Sequence, residues 1–125
     1  MPGAKNAHPF QIKRVYEPAA DSDGCRVLVD RLWPRGISRD KARIDLWLKD
    51  VAPSDELRRR FHGEPSKWKE FVAAYAKELH AEPARKAAQD LRERAHREPV
   101  TLLYAARDEA HNNAVALKGL LEKEG

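Results

Sequence analysis

Two short stretches hold most of the residues able to do chemistry. Residues 27–36 read VLVDRLWPRG, an apolar run that meets Asp30 and Arg31 and continues through Trp33, Pro34, Arg35 and Gly36. Residues 107–112 read RDEAHN and follow a second apolar run, PVTLLYAA, at 99–106. An acid, two arginines and an indole within positions 30–35 suit a flat or anionic ligand. Arg35 or Arg107 can clamp a phosphate or carboxylate bidentately, and Trp33 can stack on a flat ligand or on an arginine. Asp30 can orient an arginine or accept a proton. His111 is the natural acid/base near neutral pH. Oriented by Asp30 or Asp108, it would be the catalytic group, with Arg31 and Arg35 holding charge and Asn112 beside it.

Each residue also has a purely structural reading. Asp30 and Arg31 can form an ion pair at a strand end. Trp33 and Pro34 can be core packing, and Asp108 can be an N-cap. Asp108 and His111 share a helix face at i,i+3, but two ligands without a third do not make a metal site. No metal and no cofactor is expected. His8, His62, His80 and His96 lack paired spacing and read as solvated. Cys25, at a strand start, reads as a buried inert thiol. Arg58-Arg59-Arg60 reads as one exposed helix face or as a phosphate contact. The chain has no phosphate-binding glycine loop, dinucleotide fingerprint, paired cysteines or nucleophile elbow, which counts against the commonest nucleotide, zinc and hydrolase classes.

The elements that must position these residues follow from pattern. Residues 10–16 and 25–32 read as strands, the second with a Val27-Leu28-Val29 run expected of a strand covered on both faces. Residues 43–53 read as extended, with Leu46 and Trp47 facing opposite sides. Ser54 caps a helix DELRRRF, with acids in its first turn, that ends near His62-Gly63. Pro65 opens the next helix, whose Trp68, Phe71, Val72, Tyr75 and Leu79 recur at helical spacing. Pro83 opens another, with an alanine-rich stripe. Residues 99–106 form the second buried strand, and Asp108 caps a last helix carrying Ala110, Ala114, Leu117 and Leu121. This order predicts an α/β fold, a single compact domain with a small, mainly parallel sheet of about four strands flanked by helices. Residues 1–9 are expected to be a disordered tail and 10–125 the domain. In open α/β sheets ligands collect beyond the carboxyl ends of the strands. If the two buried strands are parallel neighbours, both polar clusters meet at one edge.

Composition bounds the partners. The 125 residues suffice for a core without staples. Charged residues are 35% of the chain, above the usual ~25%, and the net charge of +4 lies within residues 1–60. That bias favours an anionic partner. One cysteine, the absence of an apolar stretch near the ~20 residues of a membrane span, and a start without a secretory apolar region predict a cytoplasmic protein with no membrane partner.

At VLVDRLWPRGIS, DLWLKDVAPS and LLYAARDEAHNNAVAL the sequence resembles the YeaO-like family of small bacterial proteins, known as a domain of unknown function. The resemblance spans roughly residues 10–122 and implies a compact cytoplasmic α/β protein, with no established reaction. It marks Asp30, Arg31, Trp33, Pro34, Arg35, Gly36, His111 and Asn112 as motif positions. Longer relatives look to carry a helix between the first two strands and a Cys-His-Arg segment at the last helix. Here the connection EPAADSDG is too short for a full helix, so strands one and two could pair as a hairpin. Here too the segment is Ala110-His111-Asn112, and no cysteine chemistry carries over. The expected function is binding of a small anionic ligand at the sheet's C-terminal edge, with acid/base catalysis left open. A nucleic-acid-binding module and a non-catalytic protein-interaction role are the alternatives. Oligomeric state is not predicted.

Overall fold

The computed structural model describes residues 9–124; the expected N-terminal tail lies outside them save for Pro9. Four strands form one sheet: β1 (Phe10–Arg14), β2 (Cys25–Leu28), β3 (Leu46–Trp47) and β4 (Val100–Tyr104), in the spatial order β1-β4-β2-β3. All three pairings are parallel. Strands one and two are therefore not a hairpin. Both flank β4, because the connection of residues 15–24 carries the chain past the place β4 fills. Among the described residues five α-helices complete the α/β fold: α1 (Arg39–Ala42), α2 (Asp55–Phe61), α3 (Trp68–Leu79), α4 (Ala84–Arg97) and α5 (Asn113–Glu124).

The central strands are buried on both faces, as their apolar runs require. Side chains alternate along a strand, so Cys25, Val27 and Val29 of the β2 segment join Val100, Leu102 and Tyr104 of β4 in the larger core. There they meet Phe71, Tyr75 and Leu79 of α3, Ala87, Ala88, Leu91 and Ala95 of α4, and Ala114, Leu117 and Leu121 of α5. Leu28 and Leu103 point the other way, into a smaller cluster with Val15, Ala42 and Ile44 under the loop that carries α1. Leu46 packs against the larger core and Trp47 against the smaller, on opposite sides as expected.

Strand lengths are shorter than their apolar runs suggest. β1 ends at Arg14, where Glu17 turns back to bond both Arg14 backbone groups. β2 ends at Leu28, although Val29 N still donates to Leu103 O (3.1 Å). Of the extended segment expected over 43–53, only Leu46–Trp47 pairs; Lys49–Val51 coils into a 3-10 turn. Ser54 caps α2 as its sequence requires: its hydroxyl accepts from Leu57 N and donates to Glu78 on α3. His62 and Gly63 end α2 with positive φ. Pro65 opens a 3-10 turn just ahead of α3.

The largest departure concerns the last helix. Asp108 does not cap it. Asp108 Oδ1 accepts from Ala110 N and His111 N in a local turn, and α5 begins five residues later, at Asn113. Asn112 is the cap: its Oδ1 accepts from Val115 N. Asp and Asn side chains compete equally well for backbone N–H groups, and only the chain's exit from β4 decides which opens the helix. Ala110 accordingly is exposed rather than on the helix's apolar face.

A polar cluster that the sequence does not announce closes the other end of the sheet. Arg26 of β2 is 3% exposed. Its guanidinium donates to Ala42 O and Arg43 O at the end of α1 and pairs with Asp23 at 2.6 Å. Lys13 of β1 pairs with the same carboxylate at 2.9 Å. Burial pushes the Asp23 carboxyl up, but hydrogen bonds from Ala20 N–H, Lys13 and Arg26 bring it below the usual aspartate range.

Candidate functional site

β2 and β4 are parallel neighbours with Leu28 opposite Leu103, so the residues that follow each strand emerge at the same edge. Asp30 is the hinge between them. Its Oδ2 accepts from Ala105 N at 3.0 Å just past β4, and the Asn113 amide, at the start of α5, donates to Val29 O at 2.9 Å while favouring the charged form of the nearby Asp30 carboxylate. Its carbonyl accepts from Trp47 Nε1 of β3 at 2.8 Å. Burial raises the Asp30 carboxyl above its ordinary value, and the Asn113 and Ala105 hydrogen bonds partly oppose that rise.

Above this carboxylate lies a cleft of about 1040 Å³. Asp30, Arg31, Trp33, Arg35, Arg107, His111 and Asn112 all line it, so the structure brings the sequence-derived candidates together. Arg31 donates to Pro53 O and Ala52 O, both at 3.2 Å, and so fastens the loop before α2. Trp33 donates to Ile37 O and meets Trp47 edge-on with centroids 5.2 Å apart; it braces the cleft's loop rather than stacking on an arginine. Asn112, buried, donates to Asp108 O and caps α5. His111 Nδ1 lies 3.1 Å from Asp108 Oδ2, so Asp108, not Asp30, is its carboxylate partner. The Ala110 and His111 N–H groups hold the Asp108 carboxyl below the usual range. Trp68 meets the His111 ring edge-on at 5.3 Å.

Arg14 and Tyr16 line the cleft without a signal in the site motifs, and Arg58 and Arg59 join it in keeping with the phosphate-contact reading of their run. Arg14 ends β1 and donates to Ala105 O and Ala106 O. Tyr16 donates from its hydroxyl to Arg35 O at 2.8 Å. Arg58 and Arg59 turn toward the cleft from α2, and Phe61 and Phe71, stacked at 4.5 Å, form an apolar wall. One signal was present. Arg14 closes β1 just as Arg31 and Arg107 follow β2 and β4, so three parallel strands deliver a guanidinium to one edge.

The cleft's charge is thus lopsided. Among the described residues six arginines line it, Arg14, Arg31, Arg35, Arg58, Arg59 and Arg107, against the one carboxylate of Asp30. Three of the six are occupied by carbonyls or, for Arg58, by exposed Asp55 at 3.0 Å. The side chains of Arg35, Arg59 and Arg107 have no hydrogen-bond or ion-pair partner among the described residues. Guanidiniums gathered from separate elements and left unpaired match the geometry of oxyanion recognition. Among the described residues, no group of three or more His, Cys, Asp and Glu is placed to hold a metal ion. No described helix is long and apolar enough to cross a membrane.

Fold and cleft together define an α/β protein with an arginine-lined crevice at the carboxyl edge of a parallel sheet. Over residues 9–125 the chain matches the model of a family described as the inactive DUF488-N3 subclade, and it belongs to that family. It is 46% identical over 110 residues to the uncharacterised protein YeaO of Escherichia coli K12, a match spanning 86% of this chain and 92% of YeaO. It is 44% identical over 111 residues to an uncharacterised protein of Mycobacterium bovis, covering 89% of this chain and 92% of the relative. No solved structure gives a significant match. The YeaO-like resemblance read from the three motifs is therefore correct.

Proposed function

We propose that this protein binds a small phosphate- or carboxylate-bearing molecule in the cleft beyond β2 and β4, and does so without turning it over. The observation that carries this reading is the set of three unpaired guanidiniums, Arg35, Arg59 and Arg107, among six that line one crevice. The crevice lies where open α/β sheets receive ligands. Two observations favour binding over catalysis. Asp30 accepts from Ala105 N and makes no hydrogen bond to His111, which pairs with exposed Asp108 instead. The family's description as inactive agrees with that.

The test is a thermal-shift screen of the full chain against inorganic phosphate, tripolyphosphate, citrate and nucleotides, repeated with Arg35→Ala, Arg59→Ala and Arg107→Ala. A ligand at 100 times its Kd stabilises by about 2.7 kcal/mol. The expected result is a shift with at least one anion that shrinks in the arginine variants while their own melting stays near wild type. A screen in which no anion shifts the transition overturns the reading. So does a shift that all three variants retain.

A further inference from the structure

Asp30 is out of place in a site built only for an anion. A carboxylate on the floor of an arginine-lined crevice repels phosphate, and six guanidiniums would serve a bare oxyanion better without it. It stays because it clamps β4 and α5, yet that clamp leaves it capacity. An ionised carboxylate offers about four acceptor positions, and Ala105 N occupies one of them, with the Asn113 amide close by. The carboxylate lines the cleft, so the remaining capacity is available to a ligand donor. Tyr16, 41% exposed, lines the same cleft. Its hydroxyl is bound to Arg35 O and the Arg14 guanidinium sits 4.8 Å from its ring centroid. Held at both places, the ring offers its remaining exposed surface as a platform of the kind on which nucleobases stack. The unpaired guanidiniums come from three separate segments: the loop after β2, helix α2 and the exit of β4. That spread suits several phosphates better than one.

We propose that the ligand is a nucleoside polyphosphate, with its phosphates among Arg35, Arg59 and Arg107 and an N–H or O–H of the nucleoside donated to Asp30 beside Tyr16. This deepens the proposed function and rests on it. Recognition here uses side-chain guanidiniums, so it needs none of the glycine loops the sequence lacks.

The experiment is isothermal titration of the full chain with tripolyphosphate, with ATP, GTP, CTP and UTP in turn, and with a single-stranded oligonucleotide. At least one nucleoside triphosphate is expected to bind tenfold or more tightly than tripolyphosphate. That advantage should fall to about twofold or less in Asp30→Asn, and also in Tyr16→Ala, which leaves the Asp30 clamp in place should Asp30→Asn fail to fold. Tripolyphosphate binding as tightly as every nucleotide would overturn this inference and leave anion binding standing. Binding of the oligonucleotide alone would replace it with a nucleic-acid interface. If nothing binds, both the inference and the proposed function fall.

Discussion

Two aspartates of this protein, half-buried Asp30 and buried Asp23, sit in opposite electrostatic situations. Asp30 is raised by burial and only partly relieved by its hydrogen bonds; Asp23 is lowered by Ala20 N–H, Lys13 and Arg26 despite its burial. Linkage then gives opposite signs. A carboxyl whose folded value is raised contributes stability that is present below its unfolded value and lost as pH rises through the folded one. Removing the charge of Asp30 should therefore flatten the stability curve in the window just above the ordinary aspartate range. Denaturant melts of wild type and Asp30→Asn across mildly acidic pH check this; the two curves should converge at the acid end and separate as pH rises. Parallel curves would show that the carboxylate carries no such penalty. The same residue illustrates why Asp30 was readable as a candidate but not as a hinge. Its type and place after β2 are visible in VLVDRLWPRG, whereas Ala105 and Asn113 reach it only across the sheet edge.

At the scale of elements, the start of β2 depends on two features that differ in how they can fail. Gly24 has φ +64°, and a Cβ built there would stand 2.2 Å from Pro99 O, a backbone atom that cannot swing away. Gly24→Ala should destabilise by about 1–3 kcal/mol from the conformation alone, with the overlap added. Chemical denaturation reads this, and a change under 0.5 kcal/mol would show that the β2–β4 approach has slack. Asp23 neutralises Lys13 and Arg26 at the same place. Leaving Arg26 buried without its partner should cost about 3–5 kcal/mol. In wild type the stabilisation from Asp23 is present above the unfolded carboxyl value and lost as pH falls through the depressed one. The gap between wild type and Asp23→Ala should thus be widest near neutrality and narrow in acid. Helices α2, α3 and α4 follow from local pattern: the Ser54 cap, the spacing of Phe71, Tyr75 and Leu79, and the alanine stripe of α4 all occupy their expected places. The start of α5 does not follow, because Asp108 and Asn112 are equivalent caps to local chemistry.

Over the whole molecule, charge is concentrated where the three strands β1, β2 and β4 end. The net +4 of the chain is modest, but among the described residues six arginines gather against one carboxylate at a single cleft, and a cleft lined by one sign of charge focuses the field there. Anion affinity should accordingly fall with ionic strength, since exposed charges are screened over about 8 Å at physiological salt. Each of Arg35→Ala, Arg59→Ala and Arg107→Ala should weaken binding by about 1.5–3 kcal/mol, the scale of a hydrogen bond to a charged group. Titrations at low and high salt give both numbers. Affinity that ignores salt would place the ligand elsewhere on the surface.

Local chemistry was enough to determine that this is an α/β protein with two doubly buried strands, each running out into a polar cluster, and that those clusters hold Asp30, Arg35, Arg107 and His111. These are properties of short windows, in which alternation, capping and apolar runs act within a few residues of one another. Tertiary structure alone decided that β4 inserts between β1 and β2, that Arg14, Arg58 and Arg59 join the same crevice, and that His111 turns to Asp108 while Asp30 binds Ala105. The physical reason is distance along the chain. Parallel strands pair residues far apart in sequence, such as Arg14 with Tyr104 and Leu28 with Leu103, and no local pattern encodes which strand will lie between two others.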